Sequence, residues 1–378
     1  MSNTFGKIFR VTTAGESYAG FFQKKEGNLP GGLITIIDGV PSGLKITEDM
    51  INSELEKRKT DTSFVTTTRR EKDEAIIFSG VMKDNITTGA PLGILVVNKD
   101  IEEKQAKYHI ENKDIIRPGH ANYTYYQKYG EHMDYLGGGR ASGRETVSRV
   151  VAGAVAKEIL DKVGIDVIAY TIESHGIKAK DISYQEAKRN YRKNIINCPD
   201  FDKAREMIED LREVIQNNNS CGGVVEIIVK GAMAGLGEPV FDKMDAALAH
   251  ALMSIGGIKG VEFGAGFKHA SMLATEANDI PVIDDKGRIS FKTNNAGGIL
   301  GGLTNGEEIR IRVAVKPTPT IPLVQDTVDM KSLEQKKVIF NTKNDVSICA
   351  RIYPVCESMV RIVMVDSILQ NRAVQNFF

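Results

Sequence analysis

Gly137-Gly138-Gly139-Arg140-Ala141-Ser142-Gly143-Arg144-Glu145-Thr146-Val147-Ser148-Arg149-Val150-Val151-Ala152-Gly153-Ala154-Val155-Ala156 runs from a glycine-rich loop straight into an apolar helical pattern. Val147, Val150, Val151, Ala154, Val155 and Ile159 recur at three- and four-residue steps, which predicts a helix with a buried face. Ser142 and Glu145 have capping-box spacing, so Ser142 is the expected N-cap and Glu145 the third helical residue. A glycine loop that feeds a helix start offers unpaired backbone N–H groups and the positive end of the helix dipole. Arg140 and Arg144 add fixed positive charge, and together these favour a phosphate or carboxylate. The same residues suit a capped surface helix with solvated arginines, and this stretch alone leaves both readings open.

Short β-rich runs surround that helix at Leu33 to Ile37, Ile76 to Phe78, Ile94 to Val97, Val167 to Thr171, Val224 to Val229 and Ile309 to Val315. In the last run Ile309-Arg310-Ile311-Arg312-Val313 alternates apolar and charged residues, as a half-solvated strand does. Met244, Leu248, Leu252 and Met253 form a second helical stripe, closed by Gly256-Gly257. Val355, Met359, Ile362 and Val363 form a third, expected to begin just after Pro354, and Ala204 to Ile215 reads as a charged surface helix. Strands and helices interleave without a strict βαβ rhythm. The expected fold class is therefore α/β of an α+β-like kind, mixed sheets with helical layers, rather than a doubly wound parallel sheet.

The bulk numbers narrow the function. A 42% hydrophobic and 26% charged composition is that of a soluble globular protein. Lys plus Arg and Asp plus Glu are both 49, so no global field draws the chain to nucleic acid or a membrane surface, and self-association meets little repulsion. Cys198, Cys221, Cys349 and Cys356 form no C-x-x-C pair and no zinc spacing, so buried reduced thiols are expected and no metal site. Met1 to Phe9 holds no signal-like apolar run and no stretch of 18 or more apolar residues occurs, which makes the cytoplasm the expected location. Neither a Rossmann glycine fingerprint nor a Walker loop is present. Three further segments carry chemistry-bearing residues: the turn Arg117-Pro118-Gly119-His120, the proline-set turn Lys316-Pro317-Thr318-Pro319-Thr320, and Asp345. Each taken alone also fits a structural role.

In order along the chain, these segments resemble the chorismate synthase family. Gly137 to Ala156 is similar to its glycine-loop signature, Arg117 to Gly130 (RPGHANYTYYQKYG) to a second segment, Cys221 to Ala246 to a third, and Asn295 to Ile321, with AGGILGGLTNG and KPTPTI, to a fourth. The resemblance is collinear from about Phe5 to Ala373 and implies one domain over residues 1–378, a β-α-β sandwich assembled as a homotetramer. It also implies the reaction, loss of phosphate and a proton from 5-enolpyruvylshikimate 3-phosphate to give chorismate, with reduced flavin mononucleotide (FMN) required but not consumed. With no reductase segment in view, NADPH would act only indirectly, through an external flavin reductase. Carried over by matching motif, Arg140, Ala141, Ser142, Gly256, Gly257, Gly301, Lys316, Pro317, Thr318, Pro319, Thr320 and Lys343 would contact the flavin. His120 would protonate the departing phosphate, Asp345 would relay a proton, and Arg58, Ser17 and Arg144 would face the substrate.

Some positions depart from the family pattern. The N-terminal signature G-E-S-H-G reads Gly15-Glu16-Ser17-Tyr18-Ala19 here, so the phenol of Tyr18 is the expected catalytic group where the resemblance places a histidine. Tyrosine's reference pKa is about 3.5 units higher, and a neutral phenol supplies no positive charge. The chain after Tyr18 is longer than usual, with Lys24 to Pro30 as an inserted loop, and the arginine that ends the family's R-R-R-P-G-T-S-R stretch is Phe64. Near the C-terminus G-R-H-D-P reads Thr342-Lys343-Asn344-Asp345-Val346, which keeps a charge but loses the planar guanidinium fork. Two explanations follow: a divergent synthase with compensating residues, or a paralogue acting on another anionic cyclohexene or only binding flavin.

Overall fold

The computed structural model describes residues 3–20, 31–59, 73–98, 103–340 and 345–374, with residues 103–105 given by backbone only. Two five-stranded antiparallel sheets enclose a layer of helices. The first sheet has the order Thr4–Phe5, Arg10–Ala14, Gly32–Asp38, Leu92–Val97, Ala75–Ser79. The second has the order Ile177–Lys178, Asp166–Ser174, Gly223–Lys230, Ile309–Val315, Ile258–Phe263. All six β-rich runs read from the sequence lie inside these strands. The inward face of Gly32–Asp38 is Leu33, Thr35 and Ile37, while Ile34 and Ile36 face outward, the period-2 pattern of a strand with one face on the core. Ile309–Val315 alternates in the same way, burying Ile309, Ile311, Val313 and Val315.

The helix expected from Val147 onward is Thr146–Lys162, and it is buried on nearly every side, as a helix between two sheets must be. Its small residues let the long C-terminal helix, Cys349–Val374, come close. A Cβ added at Gly153 would lie 2.2 Å from Cβ of Ser358, so the crossing requires glycine there. The C-terminal helix begins earlier than its stripe predicts, and Pro354 sits inside it rather than before it. A proline removes the N–H that would bond the carbonyl four residues back. That carbonyl, on Ala350, accepts instead from Nδ2 of Asn197 at 3.1 Å, which stabilises the proline inside the helix.

Charge also locks the helical layer. Arg361 donates to Glu54 at 2.9 Å, to Glu357 at 3.0 Å and to the carbonyl of Val167, while Glu357 accepts from the N–H of Ala169. Glu357 is fully buried. This network ties the helix Glu48–Glu56, the C-terminal helix and the Asp166–Ser174 strand in one register. The capping box forms only in part. Ser142 caps a 3-10 turn, Gly143–Glu145, accepting from the N–H of Arg144 at 3.2 Å, while Glu145 turns forward to Arg149. The extra turn spaces the glycine loop away from the helix start. All four cysteines are buried and free, and among the described residues no helix is long and apolar enough to cross a membrane.

Candidate active site

Three loops meet above the N-terminal end of the Thr146–Lys162 helix. The imidazole of His120 packs against Gly138, where an added Cβ would come within 2.8 Å of its Cε1. Lys316 reaches across from the end of the Ile309–Val315 strand and donates through Nζ to the carbonyl of Gly119 at 2.7 Å. Its backbone N–H donates to the carbonyl of Gly257 at 2.9 Å, and Pro319 packs on Gly119. Asn122 clamps the turn from beneath, accepting from the N–H of Arg117 at 3.0 Å and donating to the carbonyl of Ile115 at 2.8 Å. Nδ1 of His120 and Oγ1 of Thr318 are buried with no hydrogen-bond partner among the described residues. Two orphaned polar atoms on neighbouring, packed turns are costly unless a ligand meets them. Burial first, then the charges of Arg117 and Lys316 and the neighbouring His109, push His120 down to about 3, so its imidazole is neutral at pH 7.

The N-terminal signature closes another wall. Ser17 is buried and its hydroxyl donates to that of Ser142 at 2.5 Å. Tyr18 covers Gly137, where an added Cβ would sit 2.5 Å from its ring. Arg140 spends its guanidinium on this wall, donating to the carbonyl of Gly15 at 3.1 Å, to Oγ1 of Thr13 at 2.9 Å and to Oδ1 of Asn3 at 3.2 Å. It therefore holds the Gly15–Tyr18 segment against the glycine loop. The N–H of Ala141 bonds the carbonyl of Gly138 and keeps that loop tightly turned.

Arg58 and Arg144, both buried, meet on Asp73. Arg58 donates to it at 2.6 Å and also to Oγ1 of Thr146 at 3.1 Å; Arg144 further donates to Oδ1 of Asn98, whose amide holds the carbonyl of Glu16. Asp345 accepts two hydrogen bonds from Arg351, at 3.0 and 3.1 Å, and Arg351 also donates to the carbonyl of Arg58. Next to Asp345, Val346 accepts through its carbonyl from the N–H of Cys221, and the neighbouring Ser220 donates to the carbonyl of Thr318. Asp345 is thus joined to the Lys316–Thr320 loop.

The structure therefore brings together Ser17, Tyr18, Arg58, His120, Arg140, Ala141, Ser142, Arg144, Gly257, Lys316, Thr318, Pro319 and Asp345, with Gly256, Pro317 and Thr320 next to them along the chain. Gly301 is elsewhere. Its turn packs beside Gly237 and Lys243, and the N–H of Met244 donates to Gly302. That is the start of the ten-residue helix Met244–Met253, whereas Gly257 lies past its end. At 1.5 Å per residue the helix ends are about 15 Å apart. Lys343, Phe64 and the Lys24 to Pro30 loop lie outside the described residues.

Asp73, Asn98, Asn122 and Arg351 act in this site without a sequence signal of their own, since each is an ordinary polar residue whose partner is distant or non-helical in spacing. Chemically, the cleft offers a neutral imidazole, an oriented carboxylate and the cations Arg58, Arg117, Arg144 and Lys316, with turned glycine backbone between them. Such a set takes a phosphorylated, planar ligand and can exchange protons with it.

A profile of the chorismate synthase family matches residues 9–369. The chain is 59% identical over 373 residues to the chorismate synthase of Acetivibrio thermocellus, an alignment covering 97% of this chain and 95% of that protein. It is 44% identical to the chorismate synthase of Methanococcoides burtonii, covering 98% and 96%. A crystal structure of a chorismate synthase superposes with a TM-score of 0.73 at 28% identity, covering 97% of this chain and 93% of that one.

Proposed function

The chain belongs to the chorismate synthase family, and from that premise we propose how its own residues carry the reaction. The enzyme is a carbon–oxygen lyase of the shikimate pathway that eliminates phosphate from 5-enolpyruvylshikimate 3-phosphate to give chorismate, in an FMN-dependent step. The observation that supports the site is the meeting of His120, Gly138, Gly119 and Lys316 in one cleft with orphaned buried polar atoms on His120 and Thr318. These residues fit a flavin nucleotide, and FMN in its reduced form supplies the electron density that lets phosphate depart.

The chain does the rest by position and charge. Lys316, held at Gly119, presents a cation to an anionic ligand, and the glycine backbone at 137–139 and 256–257 permits close approach of a flat one. Arg58 and Arg144, set side by side by Asp73, face the phosphorylated substrate with Ser17. His120 is neutral while the cleft lacks negative charge. A dianionic phosphate beside it raises its proton affinity, so it takes a proton and hands it to the departing phosphate. Asp345, oriented by two hydrogen bonds from Arg351, receives the proton lost from the ring. Burial of Arg58 and Arg144 strengthens their interaction with a bound anion.

The proposal extends to the assembly and supply of cofactor. A homotetramer is supported by an apolar outer face on the first sheet, where Ile34, Ile36, Ile76 and Phe78 are exposed. Gly301, beyond the far end of the Met244–Met253 helix, fits contact with the flavin of a neighbouring copy. The whole chain works as a single domain in the cytoplasm, and an external reductase delivers reduced flavin, with NADPH acting only through it. An anaerobic assay with chemically reduced FMN and 5-enolpyruvylshikimate 3-phosphate, scored for phosphate and chorismate, tests the site through His120→Ala: near-complete loss of both products is expected, and undiminished turnover refutes the assignment. Turnover in air with NADPH and oxidised FMN alone would refute the need for a reductase.

A further inference from the structure

His109 lies outside all four segments that carry the family resemblance, on the helix Glu103–Glu111, yet it reaches the cleft. Its ring stands edge-on to that of Tyr18, with centroids 5.8 Å apart and planes at 79°. Tyr18 covers Gly137 and His120 covers Gly138, so the two aromatic rings sit on successive glycines of one turn. Gly137 and Gly138 both hold positive φ, 60° and 91°, which fixes the platform under the rings. His109 packs against the Tyr18 ring from the side, and its own ring is steadied by Tyr108, again at 5.8 Å.

We propose that His109 is a positioning residue for the reaction, one that acts through Tyr18 by keeping the phenol ring seated on Gly137 beside His120. The inference rests on the site assignment above and adds a residue to it. An edge-to-face aromatic contact contributes only modestly to stability, but a group displaced by about 1 Å in a site of this kind loses about 100-fold in rate. The effect of His109 is thus expected in turnover rather than in folding or in substrate affinity.

Four variants test this in the anaerobic assay: His109→Leu, His109→Phe, Tyr18→Phe and the double variant His109→Leu/Tyr18→Phe. His109→Leu is expected to lower kcat by about 10- to 100-fold with KM within about two-fold of wild type. His109→Phe, which restores an aromatic edge, is expected to recover most of that loss. In the Tyr18→Phe background, where the hydroxyl being positioned is gone, His109→Leu is expected to cost less than about two-fold more. Unchanged kcat in His109→Leu, no recovery in His109→Phe, or an undiminished effect in the Tyr18→Phe background would each overturn the proposal. Thermal unfolding of every variant identifies misfolding; if His109→Leu unfolds early, His109→Met takes its place. His120→Ala in the same assay reports separately on the site itself, because its retention of turnover would refute the cleft and not the role of His109.

Discussion

Asp73→Asn gives the most direct readout of how the cationic wall of the cleft is held. The Asp73 side chain is 8% exposed and joins Arg58 and Arg144, whose side chains are 10% and 6% exposed. Asparagine keeps one acceptor oxygen, but its amide turns a donor toward a guanidinium, and the negative charge is lost. Removing one partner of a buried ion pair costs about 3–5 kcal/mol, because the remaining charge stays desolvated. Unfolding entropy of about 2.1 cal/mol/K per residue gives about 0.8 kcal/mol/K for 378 residues. The variant should therefore melt about 4–6 °C below wild type in ligand-free buffer at pH 7, followed by circular dichroism. Asp38→Asn is the control. Its pair with Arg10 is 40% and 52% exposed, so it should lose under about 1 kcal/mol, or about 1 °C. Melting of Asp73→Asn within about 1 °C of wild type, or an equal loss in both variants, would mean that Asp73 does not hold the two arginines.

Three further outcomes are expected. His120→Ala should lower turnover by about 100-fold or more, and further than Tyr18→Phe does; the reverse order in the anaerobic assay would make Tyr18 the main acid. Gly138→Ala places a Cβ 2.8 Å from the His120 ring at a φ of 91°, so it should displace the imidazole and depress kcat, whereas normal kinetics would contradict the contact. Acid should destabilise the ligand-free protein through its half-buried imidazoles. His120 is pushed down to about 3 and His109, by burial and Arg117, to about 4, against 6.5 for an ordinary imidazole. Between pH 6.5 and 3 the unfolded chain then binds more protons than the folded one, so the stability these groups contribute is whole above pH 6.5 and lost as pH falls through that window. His120→Gln should flatten the decline of Tm below pH 6.5, and parallel curves for variant and wild type would contradict it.

Much of the frame is visible in sequence because strand alternation and helical stripes are local patterns. Ile309–Val315 and Thr146–Lys162 are read at nearly their full extent. The C-terminal helix is misjudged at its start because proline normally opens a helix, and the compensating donor, Asn197, is 153 residues away from Ala350. In the cleft, His120 and Lys316 carry local clues, a turn and a rigid strand exit. Asp73, Arg351 and His109 carry none, since what they do depends on packing between distant segments. Arg140 shows the reverse case. The glycine loop suggests an anion contact, while its guanidinium in the structure binds the backbone and side chains of the N-terminal segment.

A crystal structure of the enzyme with FMN and 5-enolpyruvylshikimate 3-phosphate bound would show where both ligands sit. The predicted result is one cleft in which Nζ of Lys316, Nδ1 of His120 and the backbone at Gly138 all lie within hydrogen-bond or contact distance of the two ligands. Flavin or substrate seated away from the Arg117–His120 and Gly137–Ser142 loops would contradict it.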